Sequence, residues 1–590
     1  MKIASLKVPD TERLYVRSFG GYDKRPGRNG ITFTDMENMT GKHYPLLATR
    51  DKRGILNTGD FEIFGILSLD LMKTGSVPEI VKGALLADCR GRLRAFYNDG
   101  GVFSPHDIMN TSYFLTQEKK TTVVSGSSLY FFPDAKKVDL MDYASSDTLE
   151  CSATYNLGAY EGYFYELKFT PCDIDGNEVS GSSEYVCMTR PYYKLTDGAK
   201  GDYLGLMGFN IGFSDGDTVK ISGLTDSTLN GSYFNIQRID RVNKKVIIMG
   251  AAPLTQDTGT VYINRSVPPM DYVISAGNRL WGCRYGIDSE GNSINEIYAS
   301  ALGDPKNWRK YRGISTDSWT ASVGAPGAFT GAVSYNGYPI FFKEDCIIKV
   351  FGDYPAEFTL SESRVRGVEA GSSDSIAVVN DTLYYKSYSG IVKYDGGLPR
   401  NVDAPLGNTR YKNAVAGAAG SKYYVSMEDE EGKYHLFVYD SEKNIWHRED
   451  CSRALSFCRC GSELFMLKDD GKVYGINNTF TASDPTAGST EADFPWYCIT
   501  DSMGYEHPEK KYVSCVSFRI EKDIGAETEF FIEYDGDGVW HSVACSPPGG
   551  ASVITVPVLP RSCDSFRIKI SGKGGMKLLS AAVSLEIAEG

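Results

Sequence analysis

The stretch NAVAGAAGSKYYVSMEDEEGKYHLFVYDSEKNIWHRED, residues 413–450, decides the fold. An apolar run meets a Gly-Ser turn, and an aromatic-rich strand climbs away from it. A Glu/Asp/Gly turn follows, then a second aromatic strand, a polar turn and a return through Trp446. Short runs rich in Tyr, Val and Phe, separated by Gly, Asn and Asp, are strands joined by tight hairpins. The same phrase recurs at 272–311, 327–352, 374–396 and 454–477, with weaker copies at 83–101 and 120–142. A period of about 40 residues is that of a propeller blade of four short strands. Counting both halves predicts an all-β chain organised as a β-propeller of about 6–8 blades, a ring without long exposed sheet edges.

The period breaks between 148 and 267, where G-D-x-V-x-I-S-G and V-x-x-K-K-V-I-I patterns predict an inserted small β-barrel or Ig-like region. Residues 1–147 then hold an N-terminal segment and the first blades, and 268–478 the remaining blades. The Ser/Thr/Asp/Pro-rich 479–495 reads as a linker, and strict alternation in FRIKI and FFIEY marks 496–590 as a C-terminal antiparallel β-sandwich.

Composition agrees with strands: 38 Tyr, 28 Phe and 62 Gly in 590 residues. The formal net charge of −13 argues against a protein that grips nucleic acid, which needs a basic surface. It is compatible with a wall that DNA slides past. Thirteen cysteines without framework spacing read as free buried thiols of a reducing compartment. The start MKIASLKVPDTERLYV has no apolar core of an export signal, and no run is long enough to span a membrane.

Candidate chemistry is sparse. DIDGNE (173–178) and DGDG (535–538) place carboxylates as calcium loops do, yet Asp-Gly is above all a hairpin turn. No G-x-S-x-G occurs, and His43, His106, His435, His447, His507 and His541 form no zinc spacing. A glycosidase pair drawn from distant loops is illegible among 75 acids. No catalytic, metal or cofactor site is expected, and the chain reads as no enzyme. Two basic concentrations stand out instead: Lys24, Arg25 and Arg28, and, after the Tyr44-Pro45 pair, where Tyr44 reads as an apolar anchor and Pro45 fixes the chain's exit, Arg50 and Arg53. Either is a partner-facing or DNA-facing patch, or a solvated turn, with Arg50 and Arg53 paired to acids of a blade or a neighbouring subunit.

Phe19, Gly20, Met36, Asn38, Met39, Tyr44, Pro45, Leu47, Arg50, Arg53 and Gly54 together resemble the opening of structural tail proteins of tailed phages and prophages. NRLWGCRYG and NEIYASALGDPKNW (278–308) resemble the same proteins, as do 525–544 and 556–574. The closest resemblance is to the β-propeller tail-nozzle, tail tubular and packaged-DNA-stabilising proteins. It implies a virion tail component, assembled in the host cytoplasm as a homo-oligomeric ring, typically of about six copies. Such a ring lies beneath portal and adaptor, touches DNA only transiently, and takes part in genome retention and ejection. The alternative is a host-glycan-binding or glycan-cleaving receptor protein of the tail tip.

Overall fold

The computed structural model describes residues 10–27, 32–56, 63–73, 79–89, 92–99, 102–107, 120–141, 146–156, 159–160, 163–164, 167–180, 185–189, 212–240, 245–250, 256–257, 259–288, 291–476, 489–546 and 552–587. Among these the chain is all-β, its helical content limited to two 3₁₀ turns at Ser373–Ser375 and Ala404–Leu406. No described helix is long and apolar enough to cross a membrane. Two compact units form, one from 1–117 with 365–590, the other from 118–364.

The second unit holds three four-stranded antiparallel sheets of blade type, at 121–148, 272–322 and 331–363. Their first strands, Thr121–Ser125, Tyr272–Ala276 and Gly331–Tyr335, lie side by side. The first unit holds four more such sheets, at 65–107, 377–401, 412–450 and 454–475, the last completed from elsewhere in the chain. Here too the first strands adjoin in order: Ala377–Val379, Lys412–Ala419, Ala454–Cys460 and Gly65–Lys73.

Local chemistry sets each blade. In three blades the first hairpin closes through two residues in the left-handed region, a turn whose twist matches the strands it joins. Gly277-Asn278 (φ 58° and 61°), Asn336-Gly337 (51° and 80°) and Asn380-Asp381 (46° and 59°) do this. The register follows, Tyr335 opposite Tyr338 and Val379 opposite Thr382. The second strands YPIFFK, TLYYKS, KYYVSME and ELFMLK are buried on both faces, as strands covered by neighbours on two sides must be.

The inserted region is an eight-stranded antiparallel sheet with its own core, built on Phe169, Ile221, Ile236 and Val261. Arg265 ties it to the preceding blade, donating to the Leu149 and Thr148 carbonyls at 2.8 and 3.2 Å and pairing with buried Asp217.

The C-terminal sandwich draws its strands from both ends of the chain. In one sheet Met576–Ile587 and Lys511–Lys522 are central, and Asp10–Val16, Leu47–Thr49 and Met39–Thr40 are added from the N-terminal segment. In the other, Phe33–Glu37 pairs with Pro495–Thr500, which leads to Phe566–Lys573, Glu527–Tyr534 and His541–Ser546. Phe518 stacks on Phe530 between the sheets, ring centroids 4.2 Å apart. A third loan is Gly54–Leu56, which pairs with Val473–Gly475 and completes the last blade. Of the expected linker, 479–488 lies outside the described residues, but Ser489–Thr490 is a strand on the other side of Gly54–Leu56. Polar composition concealed this because the strand is only two residues long.

Residues 10–56 therefore belong to three sheets at once. A chain lacking 1–56 is expected to lose cooperative thermal unfolding, monitored by near-UV circular dichroism. A melt matching that of the full chain would contradict this topology.

Candidate functional site

The segment 19–54 crosses from sandwich to blade and carries most of the sequence candidates. Its path is fixed by backbone bonds to the strand Ile445–Asp450: Tyr22 N–H donates to the Trp446 carbonyl at 2.6 Å, and Asn38 N–H to that of Glu449. Gly21, at φ 77°, passes so close to the Trp446 carbonyl that any side chain would collide with it. Asn38 is left-handed too (φ 59°), a conformation Asn tolerates. Its carboxamide donates to the Pro495 carbonyl at 2.8 Å and accepts from Arg50 Nε at 2.7 Å. Phe19, Met36, Met39 and Leu47 are all buried in the shared core.

Arg50 and Arg53 do not face solvent. Arg50 grips Glu491 with both terminal nitrogens, at 2.7 and 3.1 Å, and its guanidinium lies 3.9 Å from the centroid of the Phe494 ring. Arg53 is fully buried and donates to Glu449 Oε2 at 2.7 Å and Asp450 Oδ2 at 2.6 Å. Burial pushes the Asp450 carboxyl up, but Arg53 and Arg50 outweigh it and hold the group at about 2. Burial likewise works against the Arg53 cation, and Asp450, Glu449 and Glu491 more than restore it. Arg448 repeats the device beside it, pairing with Asp35 at 2.9 Å and donating to the Tyr497 hydroxyl at 2.7 Å. The alternative left open in sequence resolves to acids of a blade and of the returning segment.

The remaining candidates are placed differently. Pro45 accepts from Phe19 N–H at 2.9 Å through its carbonyl, whereas the Tyr44 ring is 41% exposed and is not the apolar anchor its sequence context implied. Arg25 forms a paired contact with Asp23, at 2.9 and 2.7 Å, and Lys24 reaches Thr409 at 3.5 Å. Arg28 lies outside the described residues.

His447 was not singled out by sequence, since its strand position has no motif around it. It is buried against Gly41 and Gly21, where a Cβ at Gly41 would strike the imidazole. Burial drives its pKa down to about 3, so it is neutral in the fold.

Among the described residues no group of three His, Cys, Asp or Glu is placed to hold a metal. The acids of the two Asp-Gly loops are committed to backbone. Asp173 accepts from the Asn177 side chain and from the Asn177 and Asp175 amides at 2.8–3.0 Å, which lowers its pKa. Asp535 accepts from the Asp564 and Ser565 amides at 2.6 and 3.0 Å. No disulfide forms among the thirteen cysteines.

No family model matches the sequence, and no curated protein is similar to it. Among solved structures, an exo-β-1,3-galactanase from Phanerochaete chrysosporium aligns at 12% identity over 53% of this chain and 94% of its own, with a TM-score of 0.20. PorZ, a surface component of the type-IX secretion system of Porphyromonas gingivalis, aligns at 10% identity over 80% and 70%, with a TM-score of 0.25. A sialidase mutant of Trypanosoma rangeli aligns at 8% identity over 99% and 97%, with a TM-score of 0.20. Similarity this low assigns neither a substrate nor a reaction to this chain. One expectation is nonetheless corrected. Sugar-cleaving enzymes stand among the structures it aligns with, and the expectation of no enzyme, which rested only on the absence of a legible motif, is withdrawn.

Two outcomes follow from the buried charges. Arg53→Met strands Glu449 and Asp450 in the core and is expected to cost about 3–5 kcal/mol, read from urea unfolding; a loss under about 1 kcal/mol would contradict a buried network. The second outcome concerns pH. Because the folded pKa of His447 lies below its ordinary value of 6.5, the unfolded chain takes up the proton first. Stability therefore falls as pH drops below 6.5, and Asp450 adds a further loss below its ordinary 3.8. Between pH 6 and 5 the His447 contribution is roughly 1 kcal/mol per pH unit, and His447→Gln is expected to flatten that slope. An unchanged slope would contradict a buried neutral imidazole.

Proposed function

We propose that the chain is a structural component of the tail of a phage or prophage, assembling with copies of itself as a nozzle or hub along the DNA path. The supporting observation is where the resemblance residues fall. Met36, Met39 and Leu47 are core, Asn38, Arg50 and Arg53 make the buried polar network, and Gly54 begins the strand that completes a blade. A motif spent on holding domains together fits a family defined by architecture. Seven blade-type sheets, an inserted sheet and a sandwich also fit a family whose members assemble as rings. An excess of acids, 75 against 62 bases, would let DNA pass without adhering.

A second reading, a protein that binds or cleaves host glycans, is favoured by one observation. The outer face of the sandwich holds a cleft lined by arginine, tyrosine and serine.

Native mass spectrometry of the purified chain, alone and mixed with candidate portal and adaptor proteins, tests the first reading. It is expected to yield a closed oligomer of several copies. A monomer under every condition would overturn it.

A further inference from the structure

We propose that the outer face of the sandwich around Met576–Ile587 binds an acidic sugar, a saccharide unit carrying a carboxylate or a phosphate. The inference deepens the glycan reading above and is independent of the tail assignment.

The cleft follows from register. Tyr15 stands opposite Ala582, which stands opposite Ser517, which stands opposite Thr555. One row along, Arg519 lies between Ser580 and Val553, and one row the other way Arg13 opposes Ser584. The inward-facing partners Leu14, Val16, Phe518 and Ile520 belong to the core, so these residues face outward. The middle strand thus carries only Ser and Ala, while the strands on either side carry Tyr and Arg. A floor of small residues between long walls leaves a cleft of about 320 Å³.

Its charge is basic. Arg13, Arg17 and Arg519 are exposed, and none has an ion pair among the described residues. Elsewhere in the same sandwich Arg561 pairs with Asp537 at 3.3 Å, and Arg567 pairs with Glu533. Three guanidiniums without an ion pair thus share one face of this sheet, on a chain of net charge −13. Keeping an edge strand from pairing accounts for charges on Asp10–Val16. It does not account for Arg519, which lies on an interior strand, or for the serine floor. Arg17 stacks over Tyr15, its guanidinium carbon 4.7 Å from the ring centroid. Contacts from Ser580 and Arg17 draw the Tyr15 hydroxyl pKa down.

These groups match a sugar part by part. The Tyr15 ring and Val553 suit the C–H face of a pyranose, and the Ser517 and Thr555 hydroxyls, 3.1 Å apart, suit its hydroxyls. A guanidinium binds a carboxylate or phosphate through two parallel hydrogen bonds. A nucleic acid fits less well, because three cations on an acidic chain give little purchase on a polyphosphate.

Isothermal titration of the full chain tests this with trigalacturonate, glucose 6-phosphate, neutral galactotriose and a short single-stranded DNA. At least one acidic sugar is expected to bind, at least about tenfold more tightly than the neutral trimer, and the two arms separate carboxylate from phosphate recognition. Arg519→Ala and Tyr15→Ala are each expected to weaken binding about tenfold with the melting temperature unchanged, since both side chains are exposed. The proposal is overturned if neither acidic sugar binds at about 10 mM, if the neutral trimer binds equally, if DNA is preferred, or if both variants bind like the parent. None of these outcomes bears on whether the chain belongs to a tail.

Discussion

Everything in the larger unit depends on the burial of Arg53. A guanidinium with no exposed surface must be matched by acids, and here they come from Glu449 and Asp450 on a blade strand. Glu491, on the segment returning toward the sandwich, holds Arg50 and also accepts from the Arg53 amide. The strand that begins at Gly54 can then lie only between Val473–Gly475 and Ser489–Thr490. A salt bridge of this kind adds little net stability, because desolvation opposes the Coulomb gain. Its effect is specificity: every other register of 50–56 leaves a buried charge unpaired. Apolar burial by Met36, Met39, Leu47 and Trp446 supplies the driving force, and the arginines select the arrangement.

The same economy runs through the loops. Loop carboxylates are used to close hairpins, as Asp173, Asp288 and Asp429 each accept amide hydrogens from the residue four positions on. Such acids are committed before any ligand arrives. The outer sandwich face is the opposite case, where Arg13, Arg17 and Arg519 carry charges with no ion pair among the described residues.

Strand character and hairpin turns were legible because they rest on local chemistry. Asn336-Gly337 reads as a left-handed two-residue turn from its residue types, and YPIFFK or KYYVSME as doubly buried strands from their unbroken apolar runs. What stayed illegible is non-local. Nothing near Gly54 announces a partner more than 400 positions away, and Glu491 sits in a stretch whose composition is that of a linker. Tyr44 misled because an aromatic beside a proline in an apolar context suggests an anchor, while here the proline's carbonyl makes the contact and the ring faces solvent. His447 was invisible because its burial depends on two glycines brought in from 21 and 41. The outer cleft was invisible for the same reason, its walls coming from strands at opposite ends of the chain.

The central claim is that the N-terminal segment is an integral strand donor, opening only with the sheets it completes. Native-state hydrogen exchange measures this directly, residue by residue. The amides of Phe33–Glu37, Leu47–Thr49 and Gly54–Leu56 should open with the same free energy as those of Val473–Gly475 and Met576–Ile587. Exchange of the N-terminal strands at a much lower free energy, with their partners still protected, would show a detachable arm and contradict the account.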